Sequence, residues 1–241
     1  MADQKIALIT GANKGIAKEI ARQLGAKGLT VLIGARDEKR GAETAAELKN
    51  EGINAYAITL DVTNQTSIDE AAGKIENDYG KLDVLINNAG IALDQVPPSQ
   101  LDMEILRRTY ETNVFGVFAV TKAMLPLLKK SEAGRIVNMS SGLGSLAQQS
   151  DPNWPFAAVN LLAYNSSKTA LNAITVQFAK ELQSTPIKIN AADPGYTATD
   201  LNQNRGTRTV EQGATAAVRL ATLPADGPTG GYFDEDGIVP W

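Results

Sequence analysis

Ile6-Ala7-Leu8-Ile9-Thr10-Gly11-Ala12-Asn13-Lys14-Gly15-Ile16-Ala17 decides the fold. The apolar run at 6–10 reads as a short buried strand, and a helix is expected over 14–27. A glycine-rich turn joins the two. Glycines at a strand-to-helix turn let the backbone approach a pyrophosphate closely. The helix N-terminus then offers free N–H groups and the positive end of its dipole. No Gly-Lys-Ser/Thr follows at the offset of a Walker A loop.

The alternation continues along the chain. Further strands are expected at 30–34, 54–60, 82–87, 135–139 and 187–191, and a final one about 232–233. Helices are expected at 38–50, from a cap at Asn64 or Thr66 to Tyr79, and at 111–130, 161–183 and 210–223. Pro126 should bend or end the 111–130 helix late. Strands separated by helices at this rhythm make βαβ units and a parallel sheet covered on both faces. The fold class is therefore α/β: a single Rossmann-type, doubly wound domain with about seven strands. With no composition break, 1–241 reads as one dinucleotide-binding and catalytic domain.

Composition excludes whole classes of chemistry. The 241 residues contain no cysteine and no histidine. Disulfides, thiolate metal sites and cysteine nucleophiles are ruled out, as are the Ser-His-Asp triad and the usual zinc hydrolase sites. No metal site is expected. A net charge of −4 without long like-charged runs suggests neither a nucleic-acid groove nor an anionic membrane surface. No apolar run approaches membrane-spanning length and no signal peptide is evident, so a cytoplasmic location is the expectation.

Acid–base chemistry must then come from other groups. Tyr164-Asn165-Ser166-Ser167-Lys168 places a phenol and an ammonium one turn apart on one helix face. A free tyrosine titrates near ~10. A nearby cation should pull it down towards the working range. The tip of the second strand carries Arg36 before Asp37. An acidic residue there suits ribose hydroxyls, and an arginine suits a 2′-phosphate. With Lys14 in the glycine turn, two cations converge on that phosphate position and favour NADPH over NADH.

Several signatures occur in order. Thr10–Ala17 is followed by Asp61-Val62, by Asn87-Asn88-Ala89-Gly90, by Asn113 and by Ser140-Ser141. Tyr164 and Lys168 come next, then Pro194-Gly195-Tyr196-Thr197-Ala198-Thr199. In these the chain resembles the short-chain dehydrogenase/reductase family over essentially its whole length. Asn13-Lys14, Ala35-Arg36-Asp37 and Gly230-Gly231-Tyr232-Phe233 look most like its NADPH-dependent carbonyl reductases.

The resemblance implies a role for each matched residue. Tyr164 would protonate a carbonyl oxygen as hydride arrives. Lys168 would lower the Tyr164 pKa and bind the nicotinamide ribose. Ser141 would hydrogen-bond the substrate oxygen. Asn113 would hold a water that relays protons to Lys168, or else satisfy a helix distortion. Gly11, Asn13, Lys14, Gly15, Ile16 and Arg36 would bind the phosphate-bearing half of NADPH/NADP+. Asp61 and Val62 would contact the adenine. Asn88, Ala89, Gly90, Pro194, Gly195, Thr197 and Thr199 would complete the cofactor site. Asp83 reads as structural.

Two departures stand out. Ala17 replaces the last glycine of the family's turn. Ser141 and Tyr164 are 23 residues apart, longer than is usual in the family. The carbonyl reductases also carry an insertion here. Its aromatics, Trp154 and Phe156, either wall the substrate pocket or pack back on the body from a surface loop. Trp154 and Tyr196 are thus substrate candidates with Ser141, and 199–209 reads as a mobile polar lid. The insertion, about 145–160, can block tetramer contacts, so a monomer or homodimer is favoured over a tetramer. Trp241 either covers the pocket or caps the core. The implied activity is NADPH-dependent reduction of a small ketone or aldehyde. The alternatives are secondary-alcohol oxidation in reverse, or a non-catalytic NADP(H)-binding sensor or scaffold.

Overall fold

The computed structural model describes residues 4–241. Two strands, β1 (Ile6–Thr10) and β2 (Thr30–Ala35), are buried at every position, as strands covered on both faces must be. The next, β3 (Ala55–Thr59), exposes Tyr56 and Thr59 and forms one edge of the sheet. Beyond β1 come β4 (Val84–Asn87), β5 (Arg135–Met139), β6 (Lys188–Ala192) and the short β7 (Tyr232–Phe233). All pairings are parallel, in the order β3-β2-β1-β4-β5-β6-β7. The direction of winding reverses between β1 and β4, which opens a crevice at the carboxyl ends of these strands.

Strand alternation builds two cores. Ala7, Ile9, Val31 and Ile33 point to one face, where α1 (Gly15–Ala26), α2 (Glu38–Asn50) and α8 (Val210–Ala221) cover them. Leu8, Leu32 and Leu85 point to the other, beneath α3 (Gln65–Tyr79), α5 (Gly116–Leu128) and α7 (Leu162–Glu181). Each large aliphatic side chain buried this way contributes about 1.5–3 kcal/mol.

The expected 111–130 helix is built differently. It begins as α4 (Met103–Tyr110), passes through a π-helical turn at Glu111–Phe115 and continues as α5. Asp102 starts α4 by accepting the Glu104 N–H at 2.8 Å. Ile105, Leu106, Thr109 and Tyr110 form its inward face while Met103, Arg107 and Arg108 are exposed, and at eight residues that stripe lasts only about two turns. Pro126 sits inside α5, which ends two residues later at Leu128. One further short helix, α6 (Leu146–Gln149), lies in the insertion. Among the described residues, no helix is long and apolar enough to cross a membrane.

Candidate active site

Helix α7 turns Tyr164, Lys168, Asn172 and Thr175 towards β5 and the loop that follows it. Lys168 is buried, and its Nζ donates to the Met139 carbonyl, the last of β5, at 2.7 Å. The turn Gly142–Gly144 packs directly against this helix. A Cβ on Gly144 would lie 2.8 Å from the Lys168 Cβ and 2.9 Å from its carbonyl carbon, so glycine is required there. Asn172 accepts from Ser140 Oγ at 2.6 Å and donates to the Gly144 carbonyl at 3.2 Å. Ser141 is thereby held with its hydroxyl beside the Tyr164 phenol.

The charges in this cluster run against one expectation. Burial pushes the Tyr164 phenol up to about 12; the Ser141 hydrogen bond pulls it down and Asp193 pushes it further up. Burial draws the Lys168 ammonium down to about 8, with Asp193 opposing. The Lys168 Nζ lies 5.7 Å from the Tyr164 ring centroid. Exclusion of water is the largest influence on the phenol. Asp193 itself is raised by burial; its carboxylate accepts the Gly195 N–H at 2.9 Å and lies beside Gly142. It ties the serine turn to the loop leaving β6.

Asn113 lies in the π turn and is fully buried. Its Oδ1 accepts the Ile91 N–H at 2.9 Å. Its Nδ2 donates to the Ile91 carbonyl at 2.9 Å and to Ser167 Oγ at 3.0 Å. Both amide hydrogens are thus used within the protein, and the side chain locks the widened turn onto the loop after β4. A Cβ on Gly90 would lie 3.3 Å from Asn113 Oδ1 and 3.5 Å from Lys168 Nζ, so Gly90, Asn113 and Lys168 meet at one point.

Across the crevice, Gly11 has φ +67° and Gly15 φ +59°. A Cβ on Gly11 would come within 3.1 Å of the Ala89 Cα, so the glycine turn and the post-β4 loop approach closely. Thr10 Oγ1 accepts the Asn88 and Ala89 N–H groups at 2.9 and 3.0 Å. Helix α1 has no side-chain cap at Lys14 and no acidic residue in its first turn. Its first N–H groups and dipole suit a pyrophosphate, and this open cradle fits a dinucleotide. Ile16 packs at the margin of the core beside buried Ala17.

At the β2 tip, Asp37 accepts the Arg40 N–H at 3.0 Å and caps α2, while Arg36 is exposed. Lys14 pairs with Asp200 at 2.6 Å, across the crevice. Asp61 accepts from the Thr63 backbone and hydroxyl at 2.9 and 2.7 Å, and with Val62 stays half-buried at the end of β3. The loop leaving β6 is shaped by Gly195 at φ +66°. There Thr197 Oγ1 donates to the Pro194 carbonyl at 2.8 Å, and the Thr199 N–H donates to Asn202 Oδ1 at 3.1 Å.

The 199–209 segment is tied down more than its polar composition suggests. The Ala198 N–H donates to the Arg208 carbonyl at 2.9 Å, and the Thr207 N–H to the Tyr196 carbonyl at 2.9 Å. In the insertion, Trp154 packs edge-on to Phe156 at 5.4 Å, and Phe156 meets Tyr196 at 5.6 Å. Trp154 also reaches the serine turn, with its Cζ2 3.1 Å from where a Gly142 Cβ would stand. These rings join the insertion to the post-β6 loop beside Ser141. Trp241 stacks on Tyr232 of β7 at 5.5 Å, and its carbonyl accepts the Ala147 N–H at 3.0 Å. A separate cavity of about 300 Å³ lies beside β3, lined by Lys49, Tyr56, Lys74, Asp78 and Tyr79 among others. None of the expected site residues lines it.

The geometry brings Ser141, Tyr164, Lys168, Asn113 and Gly90 together, with Trp154 and Tyr196 along one side. It also brings in Asp193 and Asp94, which no motif in the sequence marks. Asp193 directly precedes Pro194-Gly195, the nearest thing to a signal. Asp94 has none.

The sequence pattern of the short chain dehydrogenase family matches residues 5–209. The chain is 36% identical to short-chain dehydrogenase/reductase 1 of Saponaria officinalis, over 100% of this chain and 97% of that protein. It is 32% identical to carbonyl reductase [NADPH] 1 of Rattus norvegicus, over 99% of each. The crystal structure of a gluconate 5-dehydrogenase from Burkholderia cenocepacia, in complex with NADP and tartrate, superposes with a TM-score of 0.85. That match has 26% identity and covers 96% of this chain and 93% of that one.

Proposed function

The chain belongs to the short-chain dehydrogenase/reductase family, and from that premise we propose that it reduces a ketone or aldehyde to an alcohol with NADPH. One observation carries this reading: the buried Tyr164 phenol and the buried Lys168 ammonium sit together beside Ser141 at the end of β5, facing the crevice bordered by the open glycine turn. A protonated phenol is ready to donate to an oxygen that gains charge. Alcohol oxidation is the same transfer run backwards through the same groups, and the cofactor ratio sets its direction.

Gly11, Asn13, Gly15 and Ile16 form the cradle for the pyrophosphate. Arg36 is free for a 2′-phosphate because Asp37 is engaged in its cap. Lys14 joins it by exchanging Asp200 for the phosphate. Asp61 and Val62 flank the adenine, and Asn88, Ala89 and Gly90 flank the riboses. Pro194, Gly195, Thr197 and Thr199 border the nicotinamide. When bound, NADPH supplies the hydride. Ser141 Oγ and the Tyr164 hydroxyl hydrogen-bond the carbonyl oxygen, and Tyr164 passes its proton to that oxygen. Lys168 beneath it stabilises the charge left on the phenol. Trp154, Phe156 and Tyr196 offer the substrate an apolar aromatic wall. One catalytic domain, as a cytoplasmic monomer or homodimer, completes the reading. Exposed Phe115 and Phe118 favour the dimer.

The test is cofactor oxidation with a panel of ketones, aldehydes and quinones, using NADPH and NADH. NADPH-preferring turnover is expected, with kcat falling by at least about a hundredfold in Tyr164→Phe. A fully active variant would mean another group is the acid. NADPH binding without turnover across the panel would favour the sensor reading.

A further inference from the structure

Helix α7 carries the proposed acid in its first turn, yet it lacks a cap of its own. Its N-cap residue, Leu161, makes no side-chain cap hydrogen bond, and its first turn holds no acidic residue. Buried N–H groups at a helix start need partners. Here they come from Asp94, 70 residues earlier. Asp94 Oδ2 accepts the Ala163 N–H at 2.6 Å, and Asp94 Oδ1 accepts the N–H of Tyr164 itself at 3.1 Å. Asp94 is only 9% exposed, and Ala163 is fully buried. The two oxygens thus grip adjacent backbone donors, in a charge-assisted pair that also complements the helix dipole.

The loop bearing Asp94 is itself anchored near its start, just after β4. Three residues earlier, Ile91 is held through its N–H and carbonyl by Asn113. One residue before that, Gly90 touches the Asn113–Lys168 junction. The carbonyl of Tyr164 accepts from Ser167 Oγ at 2.7 Å, and Ser167 in turn accepts from Asn113 Nδ2. The backbone of Tyr164 is therefore clamped on both sides. Asp94 holds its N–H, and the Ser167–Asn113 pair holds its carbonyl.

We propose that Asp94 is a positioning residue for this reaction: its carboxylate, through the Ala163 and Tyr164 N–H groups, fixes the Tyr164 phenol relative to the cofactor loop Asn88–Gly90. It does not touch the reacting atoms. The inference rests on Tyr164 being the acid. Displacing a reacting group by about 1 Å can cost about a hundredfold in rate, so the anchor acts on kcat more than on binding.

The experiment uses Asp94→Ala and Asp94→Asn, with Tyr164→Phe and the wild type alongside. Steady-state kinetics, NADPH affinity and amide hydrogen exchange of the 161–168 segment are measured on each. Asp94→Ala is expected to lose kcat by roughly ten- to a hundredfold, with the NADPH Kd changed less than about threefold. Exchange in 161–168 should accelerate. Asn retains one acceptor oxygen for the two donors, so Asp94→Asn should fall between wild type and Asp94→Ala. If Asp94→Ala does not fold, Asp94→Asn decides by the same kcat and exchange measurements. Wild-type kcat, or unchanged exchange, in the variant that folds would overturn the proposal. A drop in NADPH affinity as large as the drop in kcat would also overturn it, because that marks a general structural role. Failure of the reductase reading shows separately, as a wild type that turns over nothing or a Tyr164→Phe that stays active.

Discussion

Two turns leave parallel strands for helices in this molecule, and they are finished in opposite ways. The turn after β1 is left open. Its glycines take positive φ, its helix has no side-chain cap, and no carboxylate sits in the first turn. The turn after β5 is filled. Ser140, Ser141, Ser145, Asn172 and Thr169 each hydrogen-bond within it or close beside it. The helix that carries Tyr164 has its N-terminus closed by Asp94. The difference follows from what each must do. An unpartnered helix end offers donors to an anionic ligand, whereas a closed one holds a side chain still.

The largest expected effect tests the open turn. Gly11→Ala forces a side chain onto φ +67° and towards Ala89 Cα, 3.1 Å away. It should destabilise by about 1–2 kcal/mol and weaken NADPH by about tenfold or more, read by urea unfolding and calorimetric titration. Gly15→Ala meets only Thr199 Cγ2, at 3.8 Å, and should be milder. Unchanged NADPH affinity in Gly11→Ala would remove the open turn from the cofactor site.

A middle-sized effect tests the electrostatics of the filled turn. Asp193 faces Tyr164, Lys168 and Tyr232, with Arg208 and Asp234 behind it. Its charge raises both Lys168 and Tyr164, so Asp193→Asn should lower both. The proposed reduction calls for charged Lys168 and protonated Tyr164, so its rate should fall as pH rises through about 8, where Lys168 loses its proton. That alkaline limb should move to lower pH in Asp193→Asn, seen in the kcat profile. A move to higher pH would contradict this sign.

The smallest effect sharpens the open turn. Ala17 lies in the first turn of α1 and is buried in the core at 1% exposure. Ala17→Gly should cost about 1 kcal/mol of stability through helix propensity, while NADPH affinity, measured by titration, stays similar or tightens. A large loss of affinity would misplace the glycine motif.

Much of this architecture is legible in the chain. The parallel sheet, the glycine turn and the Tyr164–Lys168 face follow from apolar periodicity and helical spacing, which are local. The α4 helix escaped because Met103–Tyr110 is only eight residues long, too short for its inward stripe of Ile105, Leu106, Thr109 and Tyr110 to set a period, and the π turn because Asn113 pairs with Ile91, 22 residues away. A lysine one turn from Tyr164 is visible in sequence, whereas the exclusion of water that pushes the phenol up is not.

The sequence by itself determined the fold class, the family and the order in which cofactor and acid–base groups enter the crevice. Periodicity and local spacing are properties of the chain alone. Only the tertiary structure decided that the Tyr164 phenol is buried, that Asn113 ties the loop at Ile91 to Ser167 of α7, and that Asp94 closes the start of the helix that carries Tyr164. Those depend on burial and on partners up to 70 residues apart, which no local pattern encodes.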